Sequence, residues 1–113
     1  MCTTEALNRV LAQMNDRLRA LFGLHLKEAI LYGSYARGDA DETSDVDVLI
    51  LVDLSREEIV RYRRPVAEIA SDYLFTDNIL VSPIIENKEF FEQHIDVLPF
   101  YRNIVLEGVR ISA

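Results

Sequence analysis

The chain has 113 residues, half of them apolar and 27% charged, with four glycines and three prolines. This length and composition fit one folded domain, residues 1–113, and exclude a disordered chain; no apolar run nears the roughly 18 residues of a membrane span. Twelve basic against nineteen acidic residues leave a net charge of −7, which argues against direct nucleic-acid binding, because such binders need positive surface to exchange counterions with phosphates.

The N-terminus, Met1-Cys2-Thr3-Thr4-Glu5, has neither a basic n-region nor an apolar h-region, so no secretory signal is expected there. The single cysteine, Cys2, cannot form an intramolecular disulfide; a free thiol suits a reducing, cytoplasmic setting. Leu7, Val10, Leu11, Met14, Leu18, Leu21 and Phe22 recur at helical spacing. They predict an amphipathic helix over 4–22, capped by Thr3 or Thr4 and closed by Gly23. Lys27 to Tyr32 read as a strand stopped by Gly33, and the polar stretch 33–44 reads as a loop. The run 45–52 is a second strand, apolar on both faces past its first turn, as an interior strand is.

Ser55 with Glu58 three residues on makes a capping box for a helix carrying Ile59, Tyr62, Val66, Ile69, Ala70 and Tyr73, which Pro65 should kink or split. Asn78 to Ile85 is a third strand, and its Pro83 suggests an edge or a bulge. Asn87 opens a short helix over 88–94, Pro99 starts another that runs to Glu107, and Val109 to Ile111 add a last strand. The order helix–strand–loop–strand–helix–strand–helix is that of an α/β domain.

Asp39, Asp41, Glu42, Asp45 and Asp47 fall within residues 39–47, and without these five acids the net charge of −7 would be −2. Asp45 and Asp47 are two apart on a strand, so their side chains leave one face with Cα atoms about 6.5–7 Å apart. Carboxylates that close repel unless a cation or proton lies between them. Mg²⁺ takes such oxygen ligands together with phosphate and water. Upstream, directly after the preceding strand, stand Gly33 and Ser34. Glycine lets backbone approach a phosphate, and neighbouring N–H groups with a hydroxyl can hold it. Arg37 offers a positive charge either to a triphosphate or to the nearby acids.

Two other readings fail on particular residues. Gly33 and Gly38 have P-loop spacing, but Asp39-Ala40 replace the Lys-Ser/Thr pair. Read as an EF-hand from Asp39, the loop has Ser44 where glycine belongs and Ile50 where glutamate belongs. A solvated acidic loop would account for Asp39, Asp41 and Glu42, but not for Asp45 and Asp47 alternating at the mouth of an apolar strand.

Gly33-Ser34, ten residues, then Asp45-Val46-Asp47, within GSYARGDADETSDVDVLI, resembles the signature of the DNA polymerase β-type nucleotidyltransferase superfamily. The short chain and the GSYARG and SDVDVLI wording resemble the minimal nucleotidyltransferases, MntA-like antitoxins paired with HEPN-domain toxins in prokaryotes. The resemblance implies an α/β (α+β) nucleotidyltransferase-type domain, a small mixed sheet flanked by helices. It implies that Asp45 and Asp47 bind Mg²⁺ in a two-ion site and serve catalysis. Gly33, Ser34, Arg37 and Ser44 would bind a nucleoside triphosphate. A hydroxyl would then attack the α-phosphorus and pyrophosphate would leave. Members of this kind move AMP from ATP to a tyrosine of the toxin, which neutralises it.

The superfamily usually carries a third carboxylate on a later strand. The corresponding stretch, Asn78 to Ile85, contains no acid; Asp77 stands at its entrance as the candidate, and Glu86 lies at its far end. Three activities therefore remain open on the sequence. One is protein adenylyltransferase. Another is a catalytically impaired nucleotide-binding module that neutralises its partner by contact, and the last is a small-molecule transferase of the aminoglycoside type. A domain this small has little room for acceptor recognition, so the acceptor should arrive on a partner chain as a hetero-oligomer. His25 and His94 lack ligand-spaced neighbours and read as structural or exposed. Arg56, Arg61, Arg63 and Arg64 read as a solvated charged face, and some of the apolar C-terminal segment should stay exposed as an interface.

Overall fold

The computed structural model describes residues 3–111; Cys2, expected as a free thiol, lies outside them. Helix α1 spans Thr4–Phe22, and the Thr3 side chain caps it by accepting from the Ala6 N–H at 3.1 Å. Strand β1 (Leu26–Tyr32) leads into the predicted loop, where one helical turn, α2 (Ser34–Arg37), interrupts the coil. The turn has no apolar periodicity to announce it. Gly33 O accepts the Ala36 and Arg37 N–H groups, and Gly38 ends the turn in the left-handed region.

Strand β2 is Val46–Val52, so Asp45 stands one residue before it. The Ser55–Glu58 capping box forms in full and starts α3 (Arg56–Ile59). A 3₁₀ turn over Val60–Tyr62 separates α3 from α4 (Arg63–Asp77). The split therefore falls ahead of Pro65, which sits in the first turn of α4, where a missing N–H leaves no intrahelical bond unmade.

The third strand is displaced from its expected range: β3 is Val81–Asn87, not 78–85. Helix α4 runs through Asp77, and Asn78 closes it with φ 54° and an N–H bonded to the Tyr73 carbonyl. Asparagine tolerates this left-handed cap, so the apolar run that follows cannot pair from its first residue. Helices α5 (Lys88–His94) and α6 (Pro99–Glu107) fall as expected, with the Asn87 side chain capping α5. The last strand, β4, is Val109–Arg110. Among the described residues, no helix is long and apolar enough to cross a membrane.

The sheet order is β3-β2-β1-β4, with β2 antiparallel to β1 and parallel to β3. Pro83 therefore lies on an edge strand, where a missing ladder donor is tolerated. Alternation along β2 divides the core. Val46, Val48, Ile50 and Val52 pack with Leu31 against Val10, Met14 and Leu18 of α1 and Val66, Ile69 and Tyr73 of α4. Leu49 and Leu51 join Ile30 and Tyr32 of β1 against Phe91 of α5 and Ile104 of α6. Central β2 is thus covered on both faces, and its only acidic residue, Asp47, lies near its start.

Candidate functional site

Antiparallel pairing sets Tyr32 opposite Asp47, so Gly33, the next residue, turns off the sheet beside that carboxylate. Gly33 has φ 78°, and a Cβ there would run into Asp47 Oδ2. Glycine alone meets both demands. The pairing of β1 with β2 brings the predicted phosphate-holding residues and the predicted carboxylates to one end of the sheet. Asp47 is partly buried, and its carboxyl is pushed above the usual range, first by burial and then by the charge of Asp45, with Arg37 pulling the other way. Burial, with the Asp47 charge added, pushes the Tyr32 phenol up to about 12.

Asp45 accepts a hydrogen bond from the Ser82 hydroxyl, Oγ to Oδ2, at 2.9 Å. Ser82 also pairs in parallel register with Asp47. The neighbouring strand therefore meets the two aspartates with a hydroxyl rather than a carboxylate. Among the described residues no group of three or more His, Cys, Asp or Glu side chains could hold a metal ion. Two carboxylates still fit one hard dication that keeps water and takes phosphate oxygens from a substrate. A two-ion site would have to draw its remaining ligands from the substrates.

Helix α2 divides the site into two clefts. One, of about 370 Å³, is lined by Gly33, Ser34, Arg37, Asp47, Phe100 and Asn103, with Glu107 at its rim. Arg37 is held there by Asp39 and Glu107, each at 3.2 Å, so its positive charge is already shared with two acids. The other cleft, of about 340 Å³, is lined by Tyr35, Ser44, Asp45, Leu74, Asp77 and Leu80, among others. Ser44 is bound into the loop ahead of β2: its Oγ accepts the Asp41 N–H at 2.9 Å, while Asp41 also accepts from the Thr43 side chain and backbone. Those Thr43 bonds hold the Asp41 carboxyl below its usual range.

Asp77, expected at the entrance of the third strand, is the last residue of α4. It lines the Asp45 cleft, paired with Arg9 at 2.5 Å and accepting from Thr76 at 2.6 Å. Glu86 is far along β3, paired in register with Leu51, and is buried away from both clefts. His25 is exposed and bonded to Asp53 at 2.7 Å, and His94 bonds the Phe90 carbonyl at 2.7 Å. Sequence reasoning passed over Ser82, Phe100 and Asn103. Ser82 carried a signal, a lone hydroxyl within an apolar strand. The two α6 residues carried none, because their place depends on how α6 folds back over the sheet.

Residues 11–112 match the family described as Nucleotidyltransferase domain. A protein of Methanocaldococcus jannaschii, named as a candidate protein adenylyltransferase, is 46% identical over 76 residues, 67% of this chain and 75% of that one. The protein adenylyltransferase MntA of Thermococcus cleftensis is 42% identical over 50 residues, 44% of this chain and 48% of its own. A crystal structure of a toxin–antitoxin with AMP-PNP superposes with a TM-score of 0.55 at 17% identity, over 88% of this chain and 71% of that one, and so shares the fold.

Proposed function

The chain belongs to the nucleotidyltransferase-domain family, and from that premise we propose that it is a Mg²⁺-dependent protein adenylyltransferase that acts as an antitoxin. It moves AMP from ATP to a tyrosine hydroxyl of a HEPN-type toxin partner and so silences it. The observation that carries this reading is the close approach of the Gly33 backbone to the Asp47 carboxylate, with Asp45 beside it. Phosphate-holding backbone and cation-holding acids then share one end of the sheet. Support comes from the relatives named as protein adenylyltransferases and from the fold shared with a toxin–antitoxin that was solved with AMP-PNP.

In this reading Gly33 admits the triphosphate, and the Ser34 hydroxyl and Arg37 guanidinium bind its outer phosphates. Ser44 borders the other cleft, beside Asp45. Asp45 and Asp47 hold magnesium, with Ser82 fixing the Asp45 carboxylate. The ion, when bound, screens the charge that builds on the phosphates during in-line displacement. The acceptor tyrosine oxygen bonds to the α-phosphorus, the bond to pyrophosphate breaks, and the phenolic proton leaves to water or to Asp77. Arg9 and Thr76 both bond the Asp77 carboxylate.

The test is the intact mass of a co-expressed HEPN-type partner after incubation with ATP and Mg²⁺. Gains of about 329 Da, one adenylyl group each, that vanish with Asp45→Asn/Asp47→Asn support transfer. One observation favours a second reading: Ser82 stands in register with Asp47 where an acid could activate the acceptor. Activation of this kind is commonly worth about 10²–10⁴-fold. An unchanged mass with a stable complex would mean neutralisation by binding.

A further inference from the structure

We infer that α6 carries the nucleobase platform of this site, with Phe100 stacking on the base and Asn103 selecting adenine. This rests on the nucleotidyl-transfer reading above and assigns the half of the substrate that the motif leaves unread.

The triphosphate belongs on the Arg37 side of α2. The opposite cleft is lined by Glu42, Asp45 and Asp77, with Arg9 tied up by Asp77, whereas the Arg37 cleft joins Gly33 and Ser34 to a guanidinium that lines the cleft itself, although Asp39 and Glu107 share it. The wall facing those groups is one stripe of α6. Phe100, Asn103 and Glu107 lie at i, i+3 and i+7 and so share a face. Glu107 fixes that face to α2 through Arg37 at 3.2 Å. Ile104 of the same stripe also lines the cleft and is buried into the core, and the Tyr101 hydroxyl bonds Glu86 at 2.8 Å, so the wall is anchored.

Phe100 is 47% exposed although it lines the cleft. Its ring is held by an edge contact with Tyr32, centroids 5.6 Å apart at 80°, which leaves aromatic surface for a base. Stacking of a base on an aromatic ring is tolerant of sequence and substantial. Asn103, one turn along, is exposed, and its side-chain amide makes no hydrogen bond to another described residue. A carboxamide offers one acceptor and one donor edge, which matches the N6 donor and N7 acceptor of adenine. Guanine presents O6 and N7, both acceptors, and can use only half of that pair.

The test is calorimetric titration of the full chain, in Mg²⁺, with a non-hydrolysable ATP analogue, its GTP counterpart and inorganic tripolyphosphate. Wild type should favour the ATP analogue by roughly tenfold or more. Phe100→Leu, which keeps apolar volume against Tyr32, should weaken the ATP analogue by about tenfold and leave tripolyphosphate unchanged. Asn103→Ala should bring the ATP-to-GTP ratio near one. If Phe100→Leu fails to fold, the exposed Asn103 site decides alone. Unchanged nucleotide affinity and ratio in both variants, with binding lost in Asp45→Asn/Asp47→Asn, would overturn the α6 platform and leave nucleotidyl transfer standing. No binding of any of the three ligands to wild type would overturn both.

Discussion

Ser82 donates its hydroxyl to Asp45 Oδ2 at 2.9 Å from a strand position in register with Asp47. The β3 edge thus meets the paired aspartates with a neutral donor. Ser82→Asp would crowd three carboxylates together, which repel unless a cation sits among them. The variant should unfold several degrees lower than wild type in chelator and recover most of the loss in Mg²⁺, read by thermal melts in both buffers. Equal losses in the two buffers would count against a cation at this position. Ser82→Ala removes only the hydrogen bond and should lose about 1 kcal/mol.

Gly33→Ala meets two obstacles at once. Its φ of 78° is unfavourable for a residue with a side chain, and the new Cβ would collide with the Asp47 carboxylate. Backbone strain of this kind is worth about 1–3 kcal/mol, and Asp47 must swing out of place as well. Thermal stability should fall and binding of an ATP analogue should be lost, even though no polar group has been removed. A variant that melts lower yet binds normally would separate the turn from the site.

How far the sequence reaches is clearest at this turn. Gly33-Ser34 and the Asp45/Asp47 alternation are local patterns, and the pairing of Tyr32 with Asp47 follows from two strands that were both evident. The capping box at Ser55 and the edge position of Pro83 were legible for the same reason. The start of β3 was not, because only backbone geometry shows that Asn78 is a left-handed helix cap. The α2 turn was missed because four residues are too few to show a helical period; it is held by Gly33 O and by Tyr35 and Ala36 against the core. Residues Phe100, Asn103 and Glu107 join the site through the return of α6, a non-local event with no signature in the chain.

Glu86 is 6% exposed and is satisfied by the Tyr101 hydroxyl at 2.8 Å, the Asn87 N–H at 2.8 Å and the Arg56 guanidinium at 3.5 Å. Tyr101→Phe leaves this buried carboxylate short of a donor and should destabilise the chain by about 1–3 kcal/mol. The pH dependence carries a second signature. Burial comes first in pushing the phenols of Tyr32 and Tyr101 up to about 12, from an ordinary 10.0. The folded chain then holds these protons more tightly than the unfolded chain. Their stabilisation is complete below the ordinary value and lost as pH rises from there to the raised one. Denaturant midpoints should fall over that interval, and Tyr101→Phe should flatten the fall.

Asp47→Asn is expected to make the free protein more stable while it abolishes Mg²⁺-dependent nucleotide binding. The wild-type carboxyl is raised by burial and by the like charge of Asp45, so its ionised form opposes folding. The sign follows from linkage: between the ordinary carboxylate value of 3.8 and the raised one, the unfolded chain gives up its proton before the folded chain does. Stability therefore declines as pH rises through that window, and the neutral amide cannot follow it. The relief should appear as a melting point above wild type at neutral pH without Mg²⁺. With Mg²⁺ and an ATP analogue the order should reverse, because only wild type gains the stabilisation that a bound ligand confers. A variant that melts below wild type in both conditions would mean that Asp47 serves the fold rather than the site.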